Sequence, residues 1–402
     1  MITQAQSWWS SLQNYRSERQ RCKNYTYGKQ WIDTVTDENG VEMTEEEYIR
    51  SQGSAPLKNN LIRKIVRNVL GVFRNNYKLP KISDIYFCDE SDSSDFSRLS
   101  ELYAQTVREN CLSEIYSRVL EEYLIGGMAV VRKRFELPGR VITEIVRPES
   151  FFFNTDAMDP RGNDIHTIGE IHTVNTDPAT AEPAVMPRAF SPGFYKTKVY
   201  EIWRREGEIW RYYFLDESGN TLRSGDSPFP GGGNPYVMKA YPFIDGEIHS
   251  FVADCIDQQR YINRLITLND WIIRSSAKGV LLFPESALPD DLELEEIADQ
   301  WARYNGVIRY KAKTGVPVPQ QVATNATNVG ISELLEVQLK MMEDVSGINA
   351  ALQGQLTSGA VSGTLYEQQT RHAMTGLTDI LEGFRVFMVE SARKDLDLLQ
   401  LL

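Results

Sequence analysis

The sequence predicts an α+β protein, and three observations carry that assignment. Apolar residues recur at spacings of three and four through 247–277, 331–345 and 364–388, the mark of amphipathic helices. From Met128 the period shifts toward two, the mark of strands. Between the first two of those helices lies a segment, 279–327, with a helix and strands of its own.

In chain order, residues 1–30 read as a polar helix with Trp8, Trp9, Leu12 and Tyr15 on one side. The Trp-Trp pair either docks into a neighbouring subunit or packs on its own domain. Asp37-Glu38-Asn39-Gly40 is a turn, because Asn-Gly is a strong turn signal. Thr44 with Glu47 three residues on makes a capping box ahead of Tyr48 and Ile49. In 59–85, Leu61, Ile62, Ile65, Val66, Val69, Leu70 and Phe73 form one face, with Arg63, Lys64, Arg67 and Arg74 mostly opposite. That basic face suits nucleic acid, a solvated surface, or a subunit contact with acidic neighbours. A second amphipathic helix is predicted over 95–123, closed by Gly126-Gly127.

Strands follow at 128–136, 140–148 and 150–154, the first two separated by a Pro138-Gly139 turn. The loop 156–164 is dense in turn formers. Its carboxylates resemble a calcium loop only loosely, without the alternating spacing and closing Glu of an EF-hand. Further strands are predicted at 198–204 and 208–215 around a Gly207 hairpin turn, with a second turn at 217–220. PFPGGGNP, 228–235, lacks the GK[ST] of a phosphate loop and reads as a linker.

The helix 247–277 carries its stripe on Ile248, Phe251, Val252, Cys255, Ile256, Ile262 and Leu265, and Lys278-Gly279 is its stop. After a strand at 280–283, Asp290 with Glu293 caps a helix to about Tyr304. Strands at 307–312 and 316–322 complete this insert. The next helix shows Ile331, Leu334, Leu335, Met341, Met342 and Val345. SGINAALQGQLTSGAVSG, 346–363, is small-residue and uncharged, and a loop that long is functional or disordered. Thr364 and Glu367 open a last helix that would reach roughly 60 Å if unbroken to the end, with Gly376 and Gly383 as candidate kinks. The apolar end, 396–402, either packs on a neighbour or is continued by further polypeptide.

The net charge of −12 argues against tight general nucleic-acid binding, which needs Lys and Arg to displace counterions. It is compatible with letting nucleic acid pass without holding it. No stretch has the apolar length of a membrane span, and the N-terminus lacks the order of a signal peptide. Cys22, Cys88, Cys111 and Cys255 form no CxxC pair and read as buried free thiols in a reducing, cytosolic compartment. His166, His172, His249 and His372 are not spaced as metal ligands, and HExxH, GxSxG and a strand-borne GxGxxG are all missing. Asp254 and Asp257, one helical turn apart, read as a solvated face. The expectation is a protein that is not an enzyme and takes no cofactor or metal.

Several stretches, in this order, resemble the portal proteins of tailed bacteriophages, the head-to-tail connectors. NNLIRKIVRNVLGVFRNNYKLP is similar to the family's wing helix, and RPESFFFNTDAMDPRGND to its strand-to-loop segment. DCIDQQRYINRLITLND resembles the first stem helix, with Asp257, Gln258 and Asn263. DVSGINAALQGQLTSGAVSGTLYEQQ resembles the second stem end, tunnel loop and following helix, including Ser346-Gly347, Gly354 and Ser362-Gly363. The similarity spans about 59–390. It implies a portal fold: a mixed α/β wing over 1–246, stem helices at 247–278 and 328–345 around a small α/β clip at 279–327, a tunnel loop at 346–363, and a long helix from 364 to 402 leading to a crown that is short or missing.

The resemblance implies a homo-oligomeric ring, a dodecamer, at one capsid vertex of the virion, assembled in the host bacterial cytoplasm. Double-stranded viral DNA would pass through it in packaging and ejection, touching Gln353, Gln355, Thr357, Ser358 and Ser362. Uncharged side chains there would contact a duplex without forming ion pairs to phosphate. The clip, with Asp290, Asp291, Glu295, Glu296, Arg303, Arg309, Lys311 and Lys313, would dock the terminase large subunit and later a tail adaptor. Major capsid or scaffolding protein would be a further partner, and no membrane is involved. Two other classes compete: a non-specific DNA-binding protein using the basic helix of 59–81, and a hydrolase built on Asp254 and Asp257.

Overall fold

A computed structural model of the chain describes residues 1–76, 79–80, 90–136, 140–159, 161–176, 195–278, 280–302, 307–312, 315, 317–322, 330–348 and 375–401. It opens with α1 (Ile2–Ser11), α2 (Gln13–Thr26), the hairpin β1 (Thr34–Thr36) and β2 (Glu42–Thr44), then α3 (Glu45–Ser51) and α4 (Leu61–Asn76). Next come α5 (Glu90–Glu109), α6 (Leu112–Gly126), β3 (Met128–Glu136), β4 (Arg140–Ile145), β5 (Phe151–Phe153), β6 (Thr167–Thr176) and β7 (Tyr195–Glu206). The chain continues through β8 (Ile209–Leu215), β9 (Thr221–Asp226), β10 (Tyr236–Ala240), α7 (Ala253–Lys278) and β11 (Val280–Leu282). It closes with α8 (Leu294–Ala302), β12 (Gln320–Val322), α9 (Ile331–Ser346) and α10 (Thr378–Leu399). The mixed α+β class is as the sequence predicts.

Two compact units are built from interleaved stretches of chain. The larger comprises 1–29, 60–257 and 342–402. It holds a three-stranded antiparallel sheet, β10-β3-β4, and a five-stranded antiparallel meander, β5-β6-β7-β8-β9. Phe151, Phe152 and Phe153 are all buried and pack with Ile168, Ile202, Trp203 and Tyr236. Helix α1 closes this core with Ala5 and Leu12, and its tryptophans stay within the unit. The Trp9 indole donates to the Glu149 carbonyl at 3.0 Å, Arg16 lies 3.9 Å over its ring, and Trp8 meets His166 edge-on. The buried Arg19 of α2 donates to Glu122 of α6 and to Glu149.

Helix α10 is tied to the sheet by polar groups as well as by packing. Phe384 lies against Phe73, Tyr123 and Phe387. The fully buried Lys133 of β3 places its ammonium 2.7 and 2.8 Å from the two carboxylate oxygens of Asp395, and 2.8 Å from Thr143 Oγ1. Lys394 donates to the Asn234 carbonyl at 2.6 Å and to the Tyr236 carbonyl. Leu398 and Leu399 are buried beside Tyr103 and Val141, so these leucines of the apolar end pack on their own unit.

Several elements differ from the sequence expectation, each for a local reason. The single helix of 95–123 is two helices, because Cys111 sits in the left-handed region at φ 49°. The break is pinned by Asn110, whose side chain donates to the Val141 carbonyl at 2.8 Å and accepts the Thr143 amide at 3.0 Å. Helix α7 starts at Ala253 and not at 247, since the Ser250 hydroxyl accepts the amides of Val252 and Ala253 and donates to the Ile125 carbonyl. Strand β9 is polar and exposed, which leaves no alternating pattern to read. Beyond 228–235 the chain forms β10 and does not run straight into the helix. The last helix is interrupted before Thr378, so α10 spans about 33 Å at ~1.5 Å per residue. Gly383 lies inside it without a break. Cys22 and Cys255 are buried, as read, and burial pushes their thiols up to about 11 and about 12, but Cys111 is exposed.

The smaller unit comprises 30–59 and 258–341. Its hairpin turns at Gly40, φ 80°, and α3 opens on the predicted capping box between Thr44 and Glu47. Along α7, Gln259, Asn263 and Thr267 recur every four residues and are buried, which sets a polar ladder on one helical face. Asn263 accepts the Asn59 amide at 3.1 Å and donates to Gln30 at 2.8 Å. Gln259 donates to the Asn59 carbonyl at 2.7 Å, and Thr267 accepts the Leu57 amide at 3.1 Å. Arg260 and Arg264 converge on the buried Glu45, and Arg260 also reaches Asp33 at 3.2 Å. In the insert, β11 pairs with β12. Helix α8 begins at Leu294, later than expected, because the Asp290 carboxylate turns to Lys311 and does not cap. Among the described residues, 307–312 form no ladder, and the Lys311 amide donates to the Ala287 carbonyl at 2.8 Å.

Candidate functional site

Gln353, Gln355, Thr357, Ser358 and Ser362 lie outside the described residues, but both flanks of that stretch are in view. Gly347, at φ 66°, lies against Gly376, where a Cβ would stand 3.4 Å from the Gly347 Cα. Ile348 and Leu377 are buried next to this contact. The chain therefore leaves and returns at one point, and the positive φ at Gly347 favours glycine there.

In the insert, Arg303 and Lys313 lie outside the described residues. The structure joins four of the predicted residues into two ion pairs, Arg309 to Asp291 at 3.2 Å and Lys311 to Asp290. Glu295 and Glu296 are exposed in the first turn of α8. The surface thus has carboxylates to spare over cations among the described residues. Exposed ion pairs of this kind add little stability, so their positions are open to a partner.

Two competing surfaces lose support. On α4, Arg63 pairs with Glu121 and lies 4.8 Å from the Tyr27 ring centroid, and Arg74 donates to Ser117 at 3.1 Å. Both of these cations have partners within the unit, and Lys64, Arg67 and Arg74 are exposed on the helix. Asp254 and Asp257 are exposed on α7, as a solvated face requires; burial pushes the Asp254 carboxyl up and His249 pulls it down. The loop 156–164 turns its carboxylates onto its own chain: Asp164 accepts the amides of Met158 and Asp159, and Asp159 accepts Arg161 and Asn163. Hydrogen bonds from those donors hold Asp159 below the usual carboxylate range, and backbone amides outweigh burial to do the same for Asp164.

One cluster escaped sequence reasoning. Strand pairing sets Glu170 directly opposite Glu201, with His172 two residues along β6 on the same face. Arg132 of β3 reaches Glu144, Glu201 and Glu170. The Glu-x-His spacing within a strand was the available signal. Its partner lies 29 residues on from His172, joined only by the register.

The smaller unit also leaves apolar helix surface uncovered. On α7, Tyr261, Leu268 and Trp271 are exposed, and a groove of about 450 Å³ opens beside them between Trp31, Tyr48, Ile49 and Trp271. On α9, Leu334, Val337 and Met341 fall on one face and are exposed. Contiguous apolar surface of this kind marks association. No helix among the described residues is long and apolar enough to cross a membrane.

The chain belongs to the phage P22-like portal protein family, whose family model matches residues 3–189 and 182–401. No curated protein matches it. Portal proteins are structural components and not enzymes.

Proposed function

We propose that the chain is the subunit of a closed ring that forms a DNA channel at one capsid vertex. The family match over almost the whole chain is the observation that carries this reading. Residues 1–246 form the wing, α7 and α9 the stem, 279–327 the clip, 346–363 the tunnel loop, and the chain from 364 leads toward the crown. The exposed faces of α7 and α9 support it, because a subunit of a ring must offer two different surfaces that meet head to tail. The glycine contact at 347 and 376 supports a loop held out from a fixed base, with Gln353, Gln355, Thr357, Ser358 and Ser362 toward passing DNA. The net charge of −12 favours sliding over binding. The clip surface, with Glu295 and Glu296 and the two ion pairs, would receive the packaging motor and then a tail adaptor, and the wing would meet capsid or scaffolding protein. Assembly takes place in the host cytoplasm.

Native mass spectrometry with negative-stain images of the same sample tests the reading. A closed ring of about a dozen subunits with a central hole is expected. Val337→Asp with Met341→Asp should shift the population to monomer while leaving the circular dichroism spectrum unchanged. A wild type that stays monomeric at high concentration, with any continuation of the chain restored, refutes it.

A further inference from the structure

We propose that Glu170, His172 and Glu201 form a binding site for one divalent ion of the zinc and manganese class, with the Tyr236 hydroxyl beside it. The donor atoms of the three side chains lie within 4.8 Å of one another. His172 Nε2 is 2.7 Å from Glu201 Oε2. Ligands on one zinc ion stand ~3.3 Å apart, so side-chain adjustments of up to about 1.5 Å are required. An imidazole with two carboxylates suits zinc, manganese or cobalt better than calcium or magnesium.

A further feature suits a cation here. Glu170 Oε2 is buried without a hydrogen-bond partner, the Arg132 guanidinium being 3.5 Å away. The Tyr236 side chain is buried to 3 % exposure, and its charged neighbours are Glu201, Glu170 and Arg132. Arg132 is shared among Glu144, Glu170 and Glu201, and Glu144 also reaches Arg134 at 3.2 Å. Glu170 and Glu201 stand directly opposite each other on paired strands, where like charges destabilise a sheet, and a cation between them would relieve that repulsion. His172 is partly exposed and lines a cleft shared with Trp203 and Phe229, which provides an entry path. Because Tyr236 belongs to the three-stranded sheet and the ligands to the five-stranded one, the ion would join the two.

The site stands whether or not the ring forms. Full-length chain is stripped with chelator, then titrated with Zn²⁺ and Mn²⁺ by calorimetry, with Co²⁺ as a spectroscopic probe. Wild type should bind one ion per chain and gain about 3 °C or more in Tm at saturation. His172→Asn and Glu170→Gln should each weaken binding at least about tenfold. Both variants are checked for wild-type circular dichroism, and one folded variant suffices. No heat and no Tm shift with wild type overturns the proposal, as does undiminished binding in a folded variant. Protons alone relieving the charge, seen as an acid-dependent Tm indifferent to metal, overturns it too.

Discussion

The buried pair Lys133–Asp395 gives the most direct test of how α10 is held. Both side chains are fully excluded from solvent, and the ammonium donates to Asp395 Oδ2 and to Thr143 Oγ1, with Asp395 Oδ1 2.7 Å away. Burial pushes the Asp395 carboxyl up and the Lys133 amine down, and their mutual attraction opposes each change. Asp395→Ala removes the attraction and leaves the desolvated ammonium with one hydroxyl. Loss of one partner from such a pair costs about 3–5 kcal/mol, a large share of the ~5–15 kcal/mol that holds a domain together. The replacement Lys133→Met, Asp395→Leu and Thr143→Val removes charge and hydroxyl together. It should return to within about 1 kcal/mol of wild type or exceed it. Urea unfolding of dispersed subunits, followed by circular dichroism, measures all three proteins. If Asp395→Ala costs less than about 1 kcal/mol, or the triple variant is as unstable as the single one, the pair is not what fixes the helix.

Other outcomes follow from single sites. Asn263→Leu strands the Asn59 amide and removes one hydrogen bond of the Gln30 side chain, and should cost about 2–4 kcal/mol in urea unfolding. Gly127→Ala places a methyl 2.0 Å from the His249 carbonyl oxygen at φ 74°, and should lose at least about 2 kcal/mol or fail to fold, while Gly71→Ala, with open space, should not. Glu149 is pushed up by burial, but a backbone hydrogen bond and the buried Arg19 outweigh that and hold it below the ordinary carboxylate range. A depressed folded value means the contribution is complete above the unfolded value near ~4.3 and is lost as pH falls through the folded one. Tm measured from pH 6 to 3 should therefore fall less steeply for Glu149→Gln than for wild type.

Helices were legible where the apolar stripe faces the interior of the same unit. Ile62, Ile65, Val66 and Val69 of α4 gave a strong period and are buried. Hairpin turns were legible through Gly40 and Gly207, whose positive φ demands glycine. The break at Cys111 was not, because it depends on Asn110 meeting a strand 31 residues later. The capping pattern at Asp290 was present in sequence and unused in structure, because Lys311 competes for the same carboxylate. The stripe on α9 was read correctly as apolar but is largely exposed, since periodicity tells which residues share a face and not what covers it. The cluster at Glu170, His172 and Glu201 needed strand register, which no short motif encodes.

The interleaving of the smaller unit has a consequence for synthesis. Gln30 and Asn59 leave the ribosome long before Asn263, from which they are separated by 233 and 204 residues. At ~5–20 residues per second that wait is about 10–40 s. During it, Trp31, Tyr48 and Ile49 have no groove wall from α7 to rest on. The first stretch of this unit therefore waits, without the hydrogen-bond partners that its second stretch supplies. A pulse-chase with limited proteolysis would show residues 30–59 cleaved early and protected only once translation has passed Asn263.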